Sequence, residues 1–312
     1  MIPMKIIDLA SSGKAIGIAS RLDSSKAISV SKDLASVLME KKIRICPESR
    51  IANILGSVGS VNGKSLHDMY KDQVPVIACV GGDGTILRVA QKLPKNPPAI
   101  LGINVGAVGF LAEFDINSKD SFNQLISANL IEERCMRLTC HVDNNDHFPL
   151  ALNEILVITS RPSKALSIAV YVDKQLYSMG YVDGIIISTP TGSTAYALSA
   201  GGAIMTPGVD AIQIVPVCPF VRTGFKPLII NPNATIEIEL LRPKLNAVIA
   251  IDGQSEFVIN SSVTKKIVIR KSSSTISFLR SAGLKTSFFS RLNNKLLPGA
   301  KFPVPKHDQP EE

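Results

Sequence analysis

The sequence predicts an α/β domain built on a parallel sheet, followed by a β-rich domain, with a C-terminal helix that packs back on the first. Three observations carry this. Short apolar runs alternate with helical spacing early in the chain, closely spaced strand patterns take over after about residue 129, and helical spacing returns at 287–297. At 312 residues the chain suits two cores better than one. The expected division is 1–128 as an α/β nucleotide-binding domain, completed by about 280–300, then 129–279 as the β-rich domain and 301–312 as a tail.

"KAIGIAS" (14–20) predicts the first strand, and "SSKAISVSKDLASVLMEKK" after it places Ile28, Ala35 and Leu38 in a helical apolar set. "VPVIACV" (74–80) and "PPAILGIN" (97–104) are continuous apolar runs bounded by glycine or proline, as buried parallel strands are. Between them "TILRVAQKL" (85–93) puts Ile86, Val89, Ala90 and Leu93 on one helical side, with Thr85 as a suitable N-cap. Strand, helix and strand in that order make a βαβ unit. Further on, "LSIAVYV" (166–172), "TIEIEL" (235–240), "NAVIAID" (246–252) and "KKIVIRK" (265–271) read as strands separated by Asn-Pro, Asp-Gly and Ser-rich turns. One short helix, "STAYALSA" (193–200), interrupts them, and "SFFSRLNNKLL" (287–297) is the last.

Composition narrows the functional classes. Apolar residues form 45% and charged residues 19%, enough to bury an ordinary core. Tryptophan is absent and aromatics are 5%, which disfavours a stacking platform for sugars or single strands. Five cysteines without CxxC spacing suit a reducing cytoplasm, and Cys79 and Cys218, in apolar runs, read as buried thiols. The first twenty residues lack a signal-peptide core and no apolar run spans a bilayer, so a soluble protein with no membrane partner is expected. The net charge of +8 is uneven: no acid lies between Glu256 and Asp308, where ten lysines and arginines, Arg280, Arg291 and Lys295 among them, are found. Attraction of phosphorylated small molecules or a solvated face accounts for this better than nucleic acid, because no nucleic-acid motif accompanies it.

The chemistry centres on "CVGGDGTIL" (79–87). Gly81, Gly82, Gly84 and Thr85 lie between a buried strand and a helix start, where backbone amides and the helix N-terminus together can cradle phosphate. Asp83 would repel that phosphate, so it needs other work: accepting a proton from an attacking hydroxyl, orienting it, or helping to hold magnesium. Each points to phosphoryl transfer to an alcohol. Two similar stretches fail. "GSVNGKS" (59–65) has Val58 where a P-loop has its first glycine, and "INVGAVGF" (103–110) has Asn104 where a dinucleotide fingerprint has glycine.

With "NVGAVGFL" (104–111), "NE" (153–154) and "DGIIISTPTGSTAYALSAGG" (183–202), the glycine loop resembles the NAD kinases from roughly residue 74 to the last helix. "GGDGT" itself is shared with diacylglycerol kinases and phosphofructokinases; the long second motif is much more specific. The resemblance implies transfer of the γ-phosphoryl group of ATP to the 2′-hydroxyl of the adenosine ribose of NAD, with Mg2+ or another divalent cation, to give NADP. It implies that Asp83 is catalytic, touching that ribose and taking the hydroxyl proton. It places Gly84 against the dinucleotide, Arg88 near its phosphates and Phe110 near the adenine. Asn153 and Glu154 become a dinucleotide-binding pair, with donor and acceptor groups suited to a base edge and ribose hydroxyls. Asp183 faces the nicotinamide side, and Thr194, Ala195, Tyr196, Ala197, Leu198 and Ser199 wrap that half. Lys164 and Gln254 stand where the family has variable contacts. No histidine matches a family motif. A homodimer or homotetramer is implied as well. A lipid or sugar kinase of the same superfamily, and a sensor that binds NAD or NADP without turnover, are the alternatives.

Overall fold

The structure, a computed structural model, describes residues 5–11, 13–56, 62–106, 109–116, 118–143, 148–220, 224–242, 245–260, 262, 264, 266–281 and 287–296. The tail 301–312 and part of "GSVNGKS" lie outside them. In chain order the first half holds α1 (Ile6–Ser11), β1 (Ile16–Ser20), α2 (Ser25–Glu40), β2 (Ile45–Pro47), α3 (Ser49–Leu55), α4 (Leu66–Lys71) and β3 (Val76–Gly81). Then come α5 (Asp83–Lys92), β4 (Ala99–Asn104), β5 (Phe114–Asp115), α6 (Lys119–Ser127) and β6 (Leu130–Cys135). The second half is mostly strand: β7 (Leu138–Val142), β8 (Glu154–Thr159), β9 (Leu166–Val172), β10 (Gln175–Val182) and β11 (Gly184–Ser188). After α7 (Tyr196–Ser199) follow β12 (Ile212–Val217), β13 (Leu228–Ile230), β14 (Ile236–Leu240), β15 (Ala247–Ile251), β16 (Ser255–Ile259), β17 (Ile267–Lys271) and β18 (Ile276–Ser281), and α8 (Ser287–Leu296) closes the described chain.

The first sheet runs β2-β1-β3-β4-β18-β6, with β5 beside β4, and its first four strands are parallel. Its continuous apolar strands follow from burial on both faces: Val76, Ala78 and Val80 of β3 enter one core cluster, Ile77 and Cys79 the other. β18 is parallel to β4 and antiparallel to β6, so strands far along the chain complete this sheet. The second half folds as two antiparallel sheets, β10-β9-β14-β17-β7 and β13-β12-β11-β8-β15-β16, and their alternating inward residues share one core. The fold is therefore an α/β domain with a parallel sheet, an antiparallel β-rich domain and a C-terminal helix, as the sequence predicts. Among the described residues no helix is long and apolar enough to cross a membrane.

Three local expectations change. Thr85 is not the N-cap of α5: the helix starts at Asp83 with Gly82 as N-cap, and Thr85 is buried under the turn. The glycines let the chain enter the helix two residues early. A Cβ on Gly81 would sit 2.8 Å from the Thr85 Cβ, so the tight turn requires glycine there. The 193–200 helix splits into a 3-10 turn, Thr191–Thr194, and the single turn of α7, because Ala195 leaves helical geometry at φ −101°, ψ −130°. Cys79 is buried, its thiol pushed up to about 12 by desolvation, but Cys218 is exposed, just past β12 at φ 46°. The acid-free basic stretch is also not uniformly solvated. Arg280 and Arg291 have side chains only 12% and 16% exposed, facing Glu113 and Glu133 from the first half of the chain.

Candidate active site

α5 presents Asp83 at its first turn, and the carboxylate turns towards the segment after β4. Its Oδ2 accepts the Phe110 amide at 2.9 Å, and its Oδ1 accepts those of Leu111 and Ala112 at 3.0 and 3.1 Å. An ionised carboxylate offers about four lone-pair sites, so three are engaged and one is left. Gly109 makes the approach possible: a Cβ there would lie 2.8 Å from Asp83 Cγ and closer to Oδ1. Thus "NVGAVGFL", which fails as a fingerprint for its own phosphate loop, supplies two of the three amides that hold the acid of the other glycine loop, and Ala112 just after it the third.

The glycine loop borders a cleft of about 310 Å³ that Arg21, Arg50, Arg88, Gly82 and Gly84 help to line. A Cβ on Gly82 or Gly84 would meet no atom within 4 Å, so the chain's own packing does not demand glycine at either. Thr85 stands beneath the cleft. Arg88 is committed to Glu48 through two bonds of 2.6 and 2.8 Å, with the two side chains 19% and 5% exposed. Three of its five N–H donors stay outside that pair. Glu48 was not evident in the sequence; nothing in "CPES" marks it as the partner of a residue forty positions away.

A second cluster forms where β8 begins. Asn153 and Glu154 are buried, and Asn153 Oδ1 and Glu154 Oε2 have no hydrogen-bond partner among the described residues. Burial, with the nearby Asp252 carboxylate, pushes Glu154 up to about 8. Asp252, at φ 51° after β15, accepts the amides of Leu152, Asn153 and Glu154 at 2.7, 2.7 and 3.0 Å. Burial raises Asp252 to about 6 against the lowering effect of those amides and of Arg137. Here too an acid orders three consecutive amides. The "IDGQ" motif drew attention to Gln254, which is exposed; the residue that organises the site is the aspartate two places before it.

The remaining candidates differ in burial. Thr194 is buried, its carbonyl accepting Lys295 Nζ at 3.1 Å. Ala197 packs with Ile186 and Val215 in a small core, whereas Tyr196 and Ser199 are exposed and Ala195 and Leu198 are intermediate. Gly192 backs against the Asn153 carbonyl carbon, where a Cβ would come to 2.5 Å, so the 3-10 turn and the Asn153–Glu154 pair share one surface. Asp183 is half-buried, its backbone tied to Thr159 and Val217. Lys164 is exposed in the turn after β8.

Two links join the clusters. Phe110 is 8% exposed, with its ring 5.9 Å from Phe288 and 4.8 Å below Lys295 Nζ, so Lys295 touches both the Asp83 segment and Thr194. On the other end of α5, Gln91 donates to the Ile251 carbonyl at 3.3 Å and accepts from Ser255 Oγ at 2.8 Å. α5 and α8 therefore connect the two halves on either side of the candidate site. A run of lysines and arginines without acids was the one sequence sign of α8's role, and it pointed only to charge.

The ATP-NAD kinase N-terminal domain family matches residues 16–132 and the ATP-NAD kinase C-terminal domain family matches residues 152–281. The NAD kinase of Methanothermobacter thermautotrophicus is 36% identical over 286 residues, covering 91% of this chain and 96% of its own. An NAD kinase from Archaeoglobus fulgidus, solved in complex with ATP, superposes with a TM-score of 0.68 at 26% identity, covering 89% of this chain and 98% of that one. A yeast NADH kinase solved with NADH shares the fold at a TM-score of 0.79, with 22% identity and coverage of 94% and 90%.

Proposed function

The chain belongs to the NAD kinase family and phosphorylates NAD, and we propose that Asp83 accepts the proton of the attacking hydroxyl. The acceptor atom is the 2′-oxygen of the adenosine ribose and the donor is the γ-phosphoryl group of ATP. The bond from O2′ to the γ-phosphorus forms while the bond from that phosphorus to the β,γ-bridging oxygen breaks, releasing ADP. The hydroxyl proton passes to Asp83. A carboxylate is a far weaker base than an alkoxide, so the proton moves late, once the new bond has begun to form. The observation that carries this assignment is the placement of Asp83: an ionisable carboxylate between the two glycines that line the open cleft, fixed by three amides with one lone-pair site left.

Positioning supplies the rest. Gly82 and Gly84 leave backbone open to phosphates, and Arg88, held by Glu48, offers its remaining N–H donors at the same cleft. Asn153 Oδ1 is a buried acceptor and the unpartnered Glu154 carboxyl, protonated below about pH 8, can donate or accept; the adenine amino group and ribose hydroxyls suit the pair. Phe110 contributes an apolar face, and residues 194–199 take the nicotinamide half with Asp183. Among the described residues no three His, Cys, Asp or Glu side chains come together to hold a metal. A divalent cation, Mg2+ or another, would be held chiefly by the donor's phosphates and would neutralise part of their charge. The exposed Leu176 and Met179 on β10, an edge strand, support homo-oligomeric assembly.

Asp83→Asn tests the central role. Purified variant is given NAD, ATP and Mg2+, and product is read with an NADP-specific dehydrogenase. The expected result is near-complete loss of turnover with NAD affinity retained and a melting temperature lowered by several degrees, because the asparagine NH2 cannot accept the backbone N–H that the second carboxylate oxygen holds. Wild-type turnover in the variant refutes the proton-acceptor role. NAD binding without product in the unsubstituted chain identifies a sensor instead.

A further inference from the structure

We propose that Arg280 is a positioning residue for this chemistry, acting on Asp83 through the single peptide unit that joins Leu111 to Ala112. The inference rests on the proton-acceptor role of Asp83. Arg280, on β18, donates from Nη1 to the Leu111 carbonyl at 2.8 Å. The N–H of that same peptide unit is the Ala112 amide, which donates to Asp83 Oδ1 at 3.1 Å. The chain of contacts is therefore guanidinium N–H to carbonyl oxygen, across one planar amide, to N–H and carboxylate. A cation on the oxygen of an amide polarises it and makes its N–H a stronger donor, and a planar unit held at both ends cannot rotate away.

The surroundings are built around this contact. Arg280 Nε bonds Glu133 at 2.7 Å, Nη1 lies 3.3 Å from Glu113, and the guanidinium carbon sits 4.8 Å from the Phe278 ring centroid. Glu113, 3% exposed, also accepts the Ser281 amide at 2.9 Å, which pins the end of β18 to the segment that follows the amide loop. On the far side, β4 has no side chain where the peptide passes. A Cβ on Gly102 would come to 2.8 Å from the Leu111 carbonyl oxygen and 2.9 Å from Ala112 Cα. The Gly102 carbonyl instead accepts the Glu113 amide at 3.1 Å.

Charge alone does not account for this arrangement. Arg280 and Arg291 face Glu113 and Glu133, so the cluster is close to neutral, and the cation that interacts with Asp83 through its charge is Arg291. The effect is directional, carried by one hydrogen bond to one carbonyl. Lysine keeps the charge but lacks the planar fork that reaches Glu133 and Leu111 together.

The test compares Arg280→Lys and Arg280→Ala with the unsubstituted enzyme for kcat, for KM of NAD and ATP, and for thermal midpoint. Arg280→Lys is expected to lower kcat about tenfold and Arg280→Ala about 100-fold, both KM values holding within about twofold. Guanidinium at tens of millimolar is expected to restore Arg280→Ala about fivefold, while sodium chloride at equal ionic strength does not. Wild-type kcat in Arg280→Lys overturns the proposal. So does a loss in Arg280→Ala that follows a collapse of the midpoint and that guanidinium leaves untouched. If Arg280→Ala does not fold, the kcat and KM values of Arg280→Lys decide. Full turnover in Asp83→Asn strikes the role of Asp83; a dead Asp83→Asn beside a fully active Arg280→Lys strikes Arg280 alone.

Discussion

Gly109→Ala places one methyl group against the Asp83 carboxylate and leaves every charge in place. The new Cβ would lie 2.8 Å from Asp83 Cγ and 3.0 Å from Oδ2, inside ordinary contact. Either the carboxylate swings out or residues 109–112 move, and both break the bonds from Phe110, Leu111 and Ala112. Hydrogen bonds to a charged group are worth about 1.5–3 kcal/mol each, so the site cannot keep its geometry by strain alone. A displacement of about 1 Å at the reacting group costs roughly 100-fold in rate, or about 2.7 kcal/mol of activation free energy. The expected result is a fall of that order in kcat in the coupled NADP assay, with a thermal midpoint lowered by about 10 °C or more, as the loss of such bonds implies. Gly106→Ala is the internal control, because a Cβ there meets nothing within 4 Å; its rate should stay within about twofold. Equal rates in Gly109→Ala and the unsubstituted enzyme would show that the amide cradle does not set the position of Asp83 for catalysis.

Two further outcomes follow from buried charges. Glu154 titrates at about 8 in the fold against an ordinary 4.5, so between those values the native state keeps a proton that the unfolded chain has released. Stability contributed by Glu154 therefore falls as pH rises through that window, by at most about 1.4 kcal/mol per pH unit. Glu154→Gln should remove this slope, so the variant gains on the unsubstituted protein from pH 5 to 8 in denaturant titrations; a constant difference refutes the protonated state. Arg88→Met leaves the Glu48 carboxylate buried without its partner and should cost about 3 kcal/mol in urea unfolding, most of it recovered in the double variant with Glu48→Gln. A cost under about 1 kcal/mol would show that the pair is solvated.

The fold was legible because its causes are local and repeated. β3 and β4 are continuous apolar runs since both faces of their sheet are covered, and β14 alternates since one face is. The glycine loop between β3 and α5 was legible because glycine and aspartate types are unusual between a strand and a helix. What holds Asp83 was not, since its partners are backbone amides, which any residue type carries. Asp252 was hidden for the same reason. Arg280 was hidden by separation: its contact to Leu111 spans 169 positions, and the carboxylates beside it lie outside the basic stretch. Sequence spacing shows pairs on one helix or strand. It does not show pairs made by folding the end of the chain against its beginning.

The position of β18 between β4 and β6 has a consequence for biosynthesis. As the chain leaves the ribosome, residues up to 135 emerge with β4 still lacking the neighbour that will separate it from β6, so a hydrogen-bonding edge of apolar strand stays uncovered while roughly 140 more residues are made. The first sheet thus keeps an open seam for nearly half of translation, and the strand that seals it also brings Arg280 to the Leu111 carbonyl, so the segment that holds Asp83 gains its outer support as the exposed edge is covered.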